Sequence, residues 1–515
     1  MRVHDNKSTV TVTFTLTLLF IFAPWVYLQS FIRIPADAAW LISAAEHILN
    51  GQALSEYYFD TNPPLCFIIF IPVIGLMKAG LEIWQALHVY TLGLSILSLG
   101  ISAYFLRLWP IPNAFKHTLL LFYGIALLCV PLLEYGQKDH LIAITLLPFL
   151  LAQLSITYKH QKSSLPAILT FIAFTPFILT KPHYGLLPTA VLLHRLYRQR
   201  SLKIVFDPDF IILAIGTLSY IAATIIFFPD FINLVLPLSL ELYVGALGDP
   251  VIHKFAIAML FIWACMMGMA LASENTGEQK TLSVFIVLFA GLAVIPYWVQ
   301  WKGFSLHLIP FSILFVTSTG ALAGLYYQDF IQRHARYLLF VMAVISFAGV
   351  TIIWQNKADI SHNYYRTHDL TDILKPKGPE KSFYIESNST TTALQMAVYL
   401  DMEFASRFVA NWFTYHLVEL EGEQRDTYWQ LLGDYFAQDM ERYKPETLLF
   451  VNSPDHYTIL NTFAEHENFQ NALSAYERER IYTTDDIFMA SEEILGMADV
   501  PYYVYKRQEY QPSEE

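Results

Sequence analysis

The sequence predicts a polytopic α-helical membrane protein that ends in a small α/β domain. Of its 515 residues, 55% are hydrophobic and only 15% are charged, which is typical of a membrane protein. The apolar residues stand in long blocks over the first 354 positions, and a bilayer core about 30 Å thick needs roughly 20 apolar residues for each helical crossing. From position 356 onward, short apolar runs alternate with polar turns, which indicates a soluble domain.

Charge divides the chain at the same place. Residues 1–355 hold 19 Lys and Arg against 16 Asp and Glu, whereas residues 356–515 hold 13 against 28. An acidic soluble domain argues against binding to nucleic acid and against docking on anionic lipid. The three cysteines, Cys66, Cys129 and Cys265, all lie in apolar segments, so neither a disulfide in the soluble domain nor a structural zinc site is expected.

The apolar stretches predict about eleven crossings. The first, at residues 10–29, follows a short basic start and lacks a small-x-small cleavage site, so it is expected to stay as an uncleaved helix. Residues 65–80 are apolar but short for a span, and they are expected to lie in the membrane interface. The other predicted crossings lie at 84–106, 118–133, 140–157, 166–179, 184–197, 210–228, 252–273, 281–298, 304–325 and 337–354.

Positive-inside counting supports this placement of residues 65–80. If the segment does not cross, thirteen Lys and Arg fall on the cytoplasmic side against six on the other. If it crosses, the basic group at 195–203 lands outside. The first arrangement predicts a cytoplasmic N-terminus and a periplasmic C-terminal domain in a bacterial inner membrane. It also brings five polar segments to one outer face: those around Asp37, Asp60, Lys138–His140, Lys181–His183 and Lys302–His307.

The domain organisation follows from these patterns. Residues 1–355 form the predicted transmembrane domain, its first outer loop spans about 31–83, and residues 356–515 form the predicted soluble α/β domain. Strands of that domain are predicted for the apolar runs at 381–386, 446–451 and 502–505.

The first outer loop holds two acidic residues in a patterned context. Asp37 follows the first span, an amphipathic stretch ends at Asn50-Gly51, and Asp60 stands before Thr-Asn-Pro-Pro. This layout resembles the GT-C superfamily of membrane glycosyltransferases, such as the protein O-mannosyltransferases and the lipid A aminoarabinose transferase, which keep an essential acid in this loop. The resemblance implies that Asp37 or Asp60 is catalytic, as the base that deprotonates the acceptor hydroxyl. The alternative is that Asp37 caps a helix and Asp60 forms an Asx turn.

Three basic motifs extend the resemblance along the chain. Residues 134–140, Glu-Tyr-Gly-Gln-Lys-Asp-His, are similar to a Gly-Gln-Arg-Glu-His-Leu signature of a bacterial branch of the superfamily, with Lys and Asp in place of Arg and Glu. Residues 301–310 are similar to a Lys-Gly-Trp-Ser-Tyr-His-x-x-Pro signature, and Lys-Pro-His at 181–183 is the third. A donor phosphate needs such cations at the outer boundary, whereas the alternative is that each lysine snorkels to water. The predicted phosphate ligands are Lys138, His140, Lys181, Lys302 and His307.

Three further polar residues are expected to be structural. His183 and His253 are predicted to be interface histidines and not ligands. Arg407 lies in a Ser-Arg-Phe run that also resembles the bacterial branch; a salt bridge within the acidic domain is expected there, and contact with an acceptor or lipid phosphate is the alternative.

These observations predict a glycosyltransferase that moves a sugar from a polyprenyl-phosphate donor to an envelope glycan, lipid or protein. The chain shows no soluble cytoplasmic domain and no glycine-rich phosphate loop for a nucleotide sugar. A secondary transporter or flippase of envelope lipids and a non-catalytic envelope scaffold are the alternatives, and a polysaccharide polymerase or ligase is a near relative in chemistry. No cofactor is predicted with certainty. A divalent cation between Asp37 and Asp60 stays open because no third ligand is evident.

Overall fold

The computed structural model divides the chain into two compact units. The first unit comprises residues 1–32, 84–221 and 249–361, and the second comprises residues 33–83, 222–248 and 362–515. The predicted division at 355/356 stays a prediction. The start of the predicted first span, residues 10–17, lies outside the described residues. The structure describes residues 18–19, 21–159, 164–242, 250–275, 277–355, 370–374, 381–386, 391–410, 412–452, 458–482 and 502–508.

Long apolar helices make up most of the first unit, which confirms the predicted polytopic helical membrane class. Within the described part of the chain, seven helices have the length and composition to cross a membrane: Ile83–Arg107, Lys138–Lys159, Pro208–Phe227, Val251–Ala272, Glu278–Gln300, Ser305–Tyr326 and Arg333–Ile353. Shorter helices accompany them at 21–29, Asn113–Cys129, Leu165–Leu179 and Leu186–Gln199. The number eleven stays a prediction, because helix length alone does not show which of the shorter helices cross.

Burial separates an inner helix of the first unit from outer ones. In Lys138–Lys159, 94% of the apolar window is buried inside the protein, against 11% for Pro208–Phe227. A helix that is apolar all round belongs in the interior or against lipid, so the first is a core helix and the second is expected to face lipid. Helix Ile309–Tyr326 packs tightly on Asn113–Cys129, because a Cβ atom at Gly320 would approach Phe122 to 2.6 Å.

The second unit begins with the segment predicted to be the first outer loop, which is helical. Helix Ala36–Leu49 packs against Leu65–Ile68 and Ile71–Lys78. The segment at 65–80 is therefore broken into two short pieces, and an eight-residue helix is only about 12 Å long against a core of about 30 Å. This break favours the predicted interfacial placement. Further helices of the unit are Leu54–Tyr57, Leu236–Leu242, Leu370–Leu374, Thr391–Leu400, Trp412–Glu419, Gly422–Tyr443, Ile459–Thr462 and Glu467–Leu473.

A five-stranded mixed sheet organises the end of the chain. The strands are β1 Ser382–Ile385, β2 Glu403–Phe404, β3 Thr447–Val451, β4 Tyr476–Tyr482 and β5 Tyr502–Arg507. Their order in the sheet is β2-β1-β3-β5-β4. Strands β2, β1 and β3 run parallel, with helices Thr391–Leu400, Trp412–Glu419 and Gly422–Tyr443 between them in sequence, and β5 is antiparallel to both β3 and β4. The predicted α/β character of the domain is confirmed.

Candidate functional site

A sharp turn in the first unit leads into the core helix Lys138–Lys159. Gly136 has φ +85°, and a Cβ atom there would lie 2.7 Å from Thr91 Oγ1, so both the backbone conformation and the space require glycine. The next residue, Gln137, caps the helix, since its Oε1 accepts a hydrogen bond from the Asp139 N–H at 2.6 Å. The Glu-Tyr-Gly-Gln-Lys-Asp-His motif thus places Lys138 and Asp139 in the first turn of a buried helix.

Asp139 and Lys181 form a buried ion pair at this helix start. Lys181 Nζ lies 2.7 Å from Asp139 Oδ1 and 2.8 Å from Oδ2. The side chain of Asp139 is 0% exposed and that of Lys181 is 8% exposed. Asp139 also lies where the partial positive charge of the helix N-terminus stabilises an anion. Two of the three basic motifs therefore meet through an acid–lysine contact.

The third basic motif contributes to the same place. His307 Nδ1 lies 3.1 Å from Lys181 Nζ and 3.6 Å from Asp139 Oδ2. Gln300 Oε1 accepts a hydrogen bond from Lys181 Nζ at 3.4 Å. Lys302 stands in the loop between Gln300 and His307, and it is 7% exposed. We call Lys138, Asp139, Lys181 and His307 the lysine cluster.

The charged groups of the lysine cluster are buried and act on one another. Lys138 is 4% exposed and interacts electrostatically with Asp139. Lys138 and Lys181 thus both act on the Asp139 carboxylate. Desolvation lowers the pKa of Lys302 to about 8, so this side chain still carries its proton at pH 7. Basic side chains at a buried helix start can form charge-assisted hydrogen bonds to an anion.

His183 and His140 take different places around the cluster. His183 Nε2 lies 3.2 Å from Gln300 Nε2, and desolvation together with the charge of Lys181 lowers the pKa of His183 to about 4. His183 is therefore neutral at pH 7. His140 is fully buried, and its Nδ1 accepts the Gly136 N–H at 3.0 Å. This contact fixes the turn, and the predicted role of His140 as a phosphate ligand stays a prediction.

His253 lies in an aromatic group of the first unit. Its ring stacks on Trp298 and Trp301 with centroids 5.6 and 4.7 Å away, and its Nδ1 lies 2.8 Å from Tyr297 OH. These contacts fit the predicted interface histidine.

The two acids of the first outer loop lie in the second unit. Asp37 is in the first turn of helix Ala36–Leu49, where the helix dipole favours a carboxylate. Asp60 is 4% exposed, and its Oδ1 accepts hydrogen bonds from Asn62 N at 2.9 Å and from Asn62 Nδ2 at 2.8 Å. The Asx turn that was the alternative reading of Asp60 is therefore present. The choice between Asp37 and Asp60 as base stays a prediction.

Arg407 takes part in the salt bridge that the sequence predicted. Its Nε donates to Asp439 Oδ1 at 2.9 Å and its backbone N–H donates to Oδ2 at 2.8 Å. The guanidinium also lies over the Tyr435 ring, 4.2 Å from its centroid. Desolvation raises the pKa of Asp439, and the charge of Arg407 opposes that rise. Arg407 thereby ties the chain after β2 to helix Gly422–Tyr443.

Sequence reasoning missed two members of the first-unit site. Asp139 appeared only as a replacement for Glu in a motif, and Gln300 was not singled out. A signal was available for Asp139, because an acid inside an apolar segment needs a cation. Within the described residues, no group of three or more His, Cys, Asp or Glu is placed to hold a metal ion.

The helices and the C-terminal mixed sheet define a polytopic membrane protein, and comparison with solved structures places its fold. The crystal structure of ArnT from Cupriavidus metallidurans bound to undecaprenyl phosphate is similar over 97% of this chain and 98% of that chain, with a TM-score of 0.54 and 15% sequence identity. The same protein in the apo state is similar over 96% of this chain and 98% of that chain, with a TM-score of 0.43 and 14% identity.

The chain therefore has an ArnT-like fold, and the predicted likeness to the GT-C family is confirmed at the level of the fold. No family model matches the chain, and no curated protein sequence matches it.

Proposed function

We propose that this protein is a GT-C-type glycosyltransferase that moves a sugar from a polyprenyl-phosphate donor to an envelope acceptor. The observation that carries the proposal is the lysine cluster, in which Lys138, Lys181 and His307, one from each basic motif, act on the carboxylate of Asp139. A fold shared over nearly the whole chain with a protein solved in complex with undecaprenyl phosphate supports it. A polyprenyl phosphate is an anion that such basic side chains can bind.

We infer different roles for the lysines of the three basic motifs. Lys181 is held by both oxygens of Asp139, so it shapes the site and carries little uncompensated charge. Lys138 and Lys302, both buried, are the lysines that we expect to bind the donor phosphate. Charge-assisted hydrogen bonds in a water-poor site are the strong ones, and they gain strength as charge develops on the leaving phosphate.

The transfer itself is a single displacement. The carboxylate of Asp37 accepts the proton of the acceptor hydroxyl, and the hydroxyl oxygen attacks the anomeric carbon of the donor sugar. The bond from that carbon to the phosphate oxygen breaks with its electron pair on the oxygen, and polyprenyl phosphate leaves. One displacement inverts the anomeric carbon. Asp60 is the competing base, although its Oδ1 already accepts two hydrogen bonds.

Asp37→Asn tests the chemistry. The amide keeps the size of the side chain but cannot accept a proton, so turnover should fall by about 10² to 10⁴. Pro35, and not Asp37, is the N-cap of this helix, so a structural role would be limited to the helix dipole, at about 0.3–1 kcal/mol. The measurement is restoration of glycan transfer in a deletion strain, with lipid-linked sugars followed by mass spectrometry and membrane insertion checked in parallel. Asp60→Asn is the matched comparison. Wild-type transfer by both inserted variants would refute the glycosyltransferase proposal.

We further propose that the protein lies in the inner membrane with a cytoplasmic N-terminus and a periplasmic C-terminal domain, from the positive-inside count. A reporter enzyme fused after Glu515 should be active only if it is one that works in the periplasm. Activity of a cytoplasmic reporter at the same position would reverse the orientation.

A further inference from the structure

A cavity of about 160 Å³ opens within the second unit, and neither Asp37 nor Asp60 lines it. Helix Ala36–Leu49 forms one wall, and helix Thr391–Leu400 with the segment at 402–406 forms another. The side chains that carry its chemistry are aromatic or acidic: Trp40, Glu46, Tyr57, Tyr58, Glu403 and Tyr443.

The cavity wall on helix Ala36–Leu49 is one continuous face. Trp40, Ser43 and His47 recur at helical spacing. Tyr58 closes on this face, because its ring lies 4.2 Å from Trp40 and 4.8 Å from His47, and its hydroxyl is hydrogen-bonded to Ser43. The aromatic wall is therefore held by its own contacts before any ligand arrives.

Charge in this cavity has one sign. Glu46 and Glu403 line it from different elements, and no Lys or Arg is among its described lining residues. Desolvation raises the pKa of Tyr58, and the two glutamates raise it further, which shows that both carboxylates act on the same ring. Arg442 already lies over the ring of Tyr57, 4.4 Å from its centroid, so an aromatic side chain of this wall accepts a cation.

We propose that this cavity binds a small organic ammonium group between its aromatic wall and the carboxylates of Glu46 and Glu403. Aromatic faces attract ammonium ions through their quadrupole, and the carboxylates supply the opposite charge. An anionic ligand is disfavoured by the same two groups. At about 160 Å³ the cavity is below the roughly 300–1,000 Å³ of pockets for drug-sized ligands, so it takes a head group and not a whole lipid.

A second observation concerns an unmet hydrogen-bond donor in the same wall. Trp40 is 4% exposed, and its indole Nε1 has no hydrogen-bond partner among the described residues. Buried donors normally find an acceptor, and a hydroxyl or ether oxygen near the ammonium would supply one. The ligand class is therefore an amino alcohol, either a free amine or the head group of an amine-bearing lipid. This inference does not depend on the transferase proposal.

The test uses the full-length protein in nanodiscs made only of phosphatidylglycerol. Choline and its neutral isostere 3,3-dimethylbutan-1-ol differ only in the charged nitrogen. We expect the protein to bind choline at least tenfold more tightly than the alcohol in saturation-transfer NMR titrations. Equal affinities, or no binding of choline, would overturn the proposal.

Matched variants locate the binding. Glu46→Gln with Glu403→Gln should weaken choline binding at least tenfold, while Glu419→Gln, an exposed carboxylate of the same unit, should leave it unchanged. If both behave like the wild type, the cavity is not the site. Nanodiscs that contain phosphatidylethanolamine separate the two sources of ligand. Weaker choline binding there assigns the cavity to a lipid head group, and unchanged binding assigns it to a soluble amine, each in support of the proposal.

Discussion

Two buried ion clusters of the first unit, both among the described residues, differ in how their charges are paired. The lysine cluster sets Lys138 and Lys181 against Asp139. Along helix Lys138–Lys159, 14 residues or about 21 Å further on, Gln153 Nε2 lies 3.4 Å from an oxygen of Asp209. The second cluster, which we call the arginine cluster, consists of Arg195 with Asp207 and Asp209.

Both clusters are buried, so burial alone does not distinguish their roles, whereas their ion pairing does. In the arginine cluster, Arg195 is 0% exposed and bonded to both carboxylates, with Nη1 2.6 Å from Asp209 Oδ2. Its one cation is bonded to acids of this chain on two sides. In the lysine cluster, Lys138 and Lys181 act on a single carboxylate. We expect the arginine cluster, which is held by two ion pairs, to be a structural contact, and the lysine cluster, where the three basic motifs meet, to be a site for an anion.

The largest effect is expected from breaking the arginine cluster. Arg195→Met leaves two carboxylates buried without their cation, which costs on the order of 3–5 kcal/mol of unfolding free energy. Thermal unfolding in detergent should show the loss. Adding Asp209→Asn to the same chain should recover part of it, and Lys203→Met, at an exposed position, should be neutral. A stability unchanged by Arg195→Met would mean that this cluster is not a structural contact.

A smaller effect is expected at the turn that carries the lysine cluster. Gly136→Ala places a Cβ atom against Thr91 and Leu87 and forces φ +85° on an L-residue, so about 2 kcal/mol of stability should be lost. Binding of undecaprenyl phosphate should weaken too, because the turn positions Lys138. Gly268→Ala is the control, since nothing lies within 4 Å of its Cβ position. Equal behaviour of the two variants would contradict the packing described for the turn.

The smallest effect concerns pH and Lys302. Its folded pKa of about 8 lies below the ordinary lysine value of about 10.4, so the charged side chain costs stability below pH 8, and the cost is relieved as pH rises from 8 towards 10.4. The melting temperature of Lys302→Gln should therefore exceed that of the wild type at pH 7, and the gap should close near pH 10. A gap that widens with pH would show that Lys302 is stabilised by its charge in the ligand-free protein.

Much of the fold was predictable from composition and periodicity. Long apolar blocks predicted the membrane helices, and buried apolar runs predicted β1, β3 and β5. Strand β4 was missed because its sequence, Tyr-Glu-Arg-Glu-Arg-Ile-Tyr, is charged and lacks an apolar run. It is an edge strand, and among the described strands it pairs with β5. Strand β2 has two residues and is set by pairing alone.

The candidate site was less predictable for a physical reason. Motif similarity identified Lys138, Lys181 and Lys302 as cations of interest. It did not show that Asp139 forms an ion pair with Lys181, because which charged residues pair depends on the three-dimensional fold. Arg195 was likewise counted as one of a basic group at 195–203, yet the structure buries it between two acids. The sequence shows which charged residues are present, and the fold determines which of them form ion pairs.

Binding of undecaprenyl phosphate to the purified full-length protein at pH 7 tests the central claim most directly. Lys302→Gln removes the buried cation of the third basic motif, and because a hydrogen bond to a charged group contributes about 1.5–3 kcal/mol, the dissociation constant should rise about tenfold or more. Lys203→Gln, which changes an exposed lysine, should bind like the wild type. If Lys302→Gln and Lys203→Gln bind undecaprenyl phosphate equally well, the buried lysine of the third basic motif does not bind a donor phosphate.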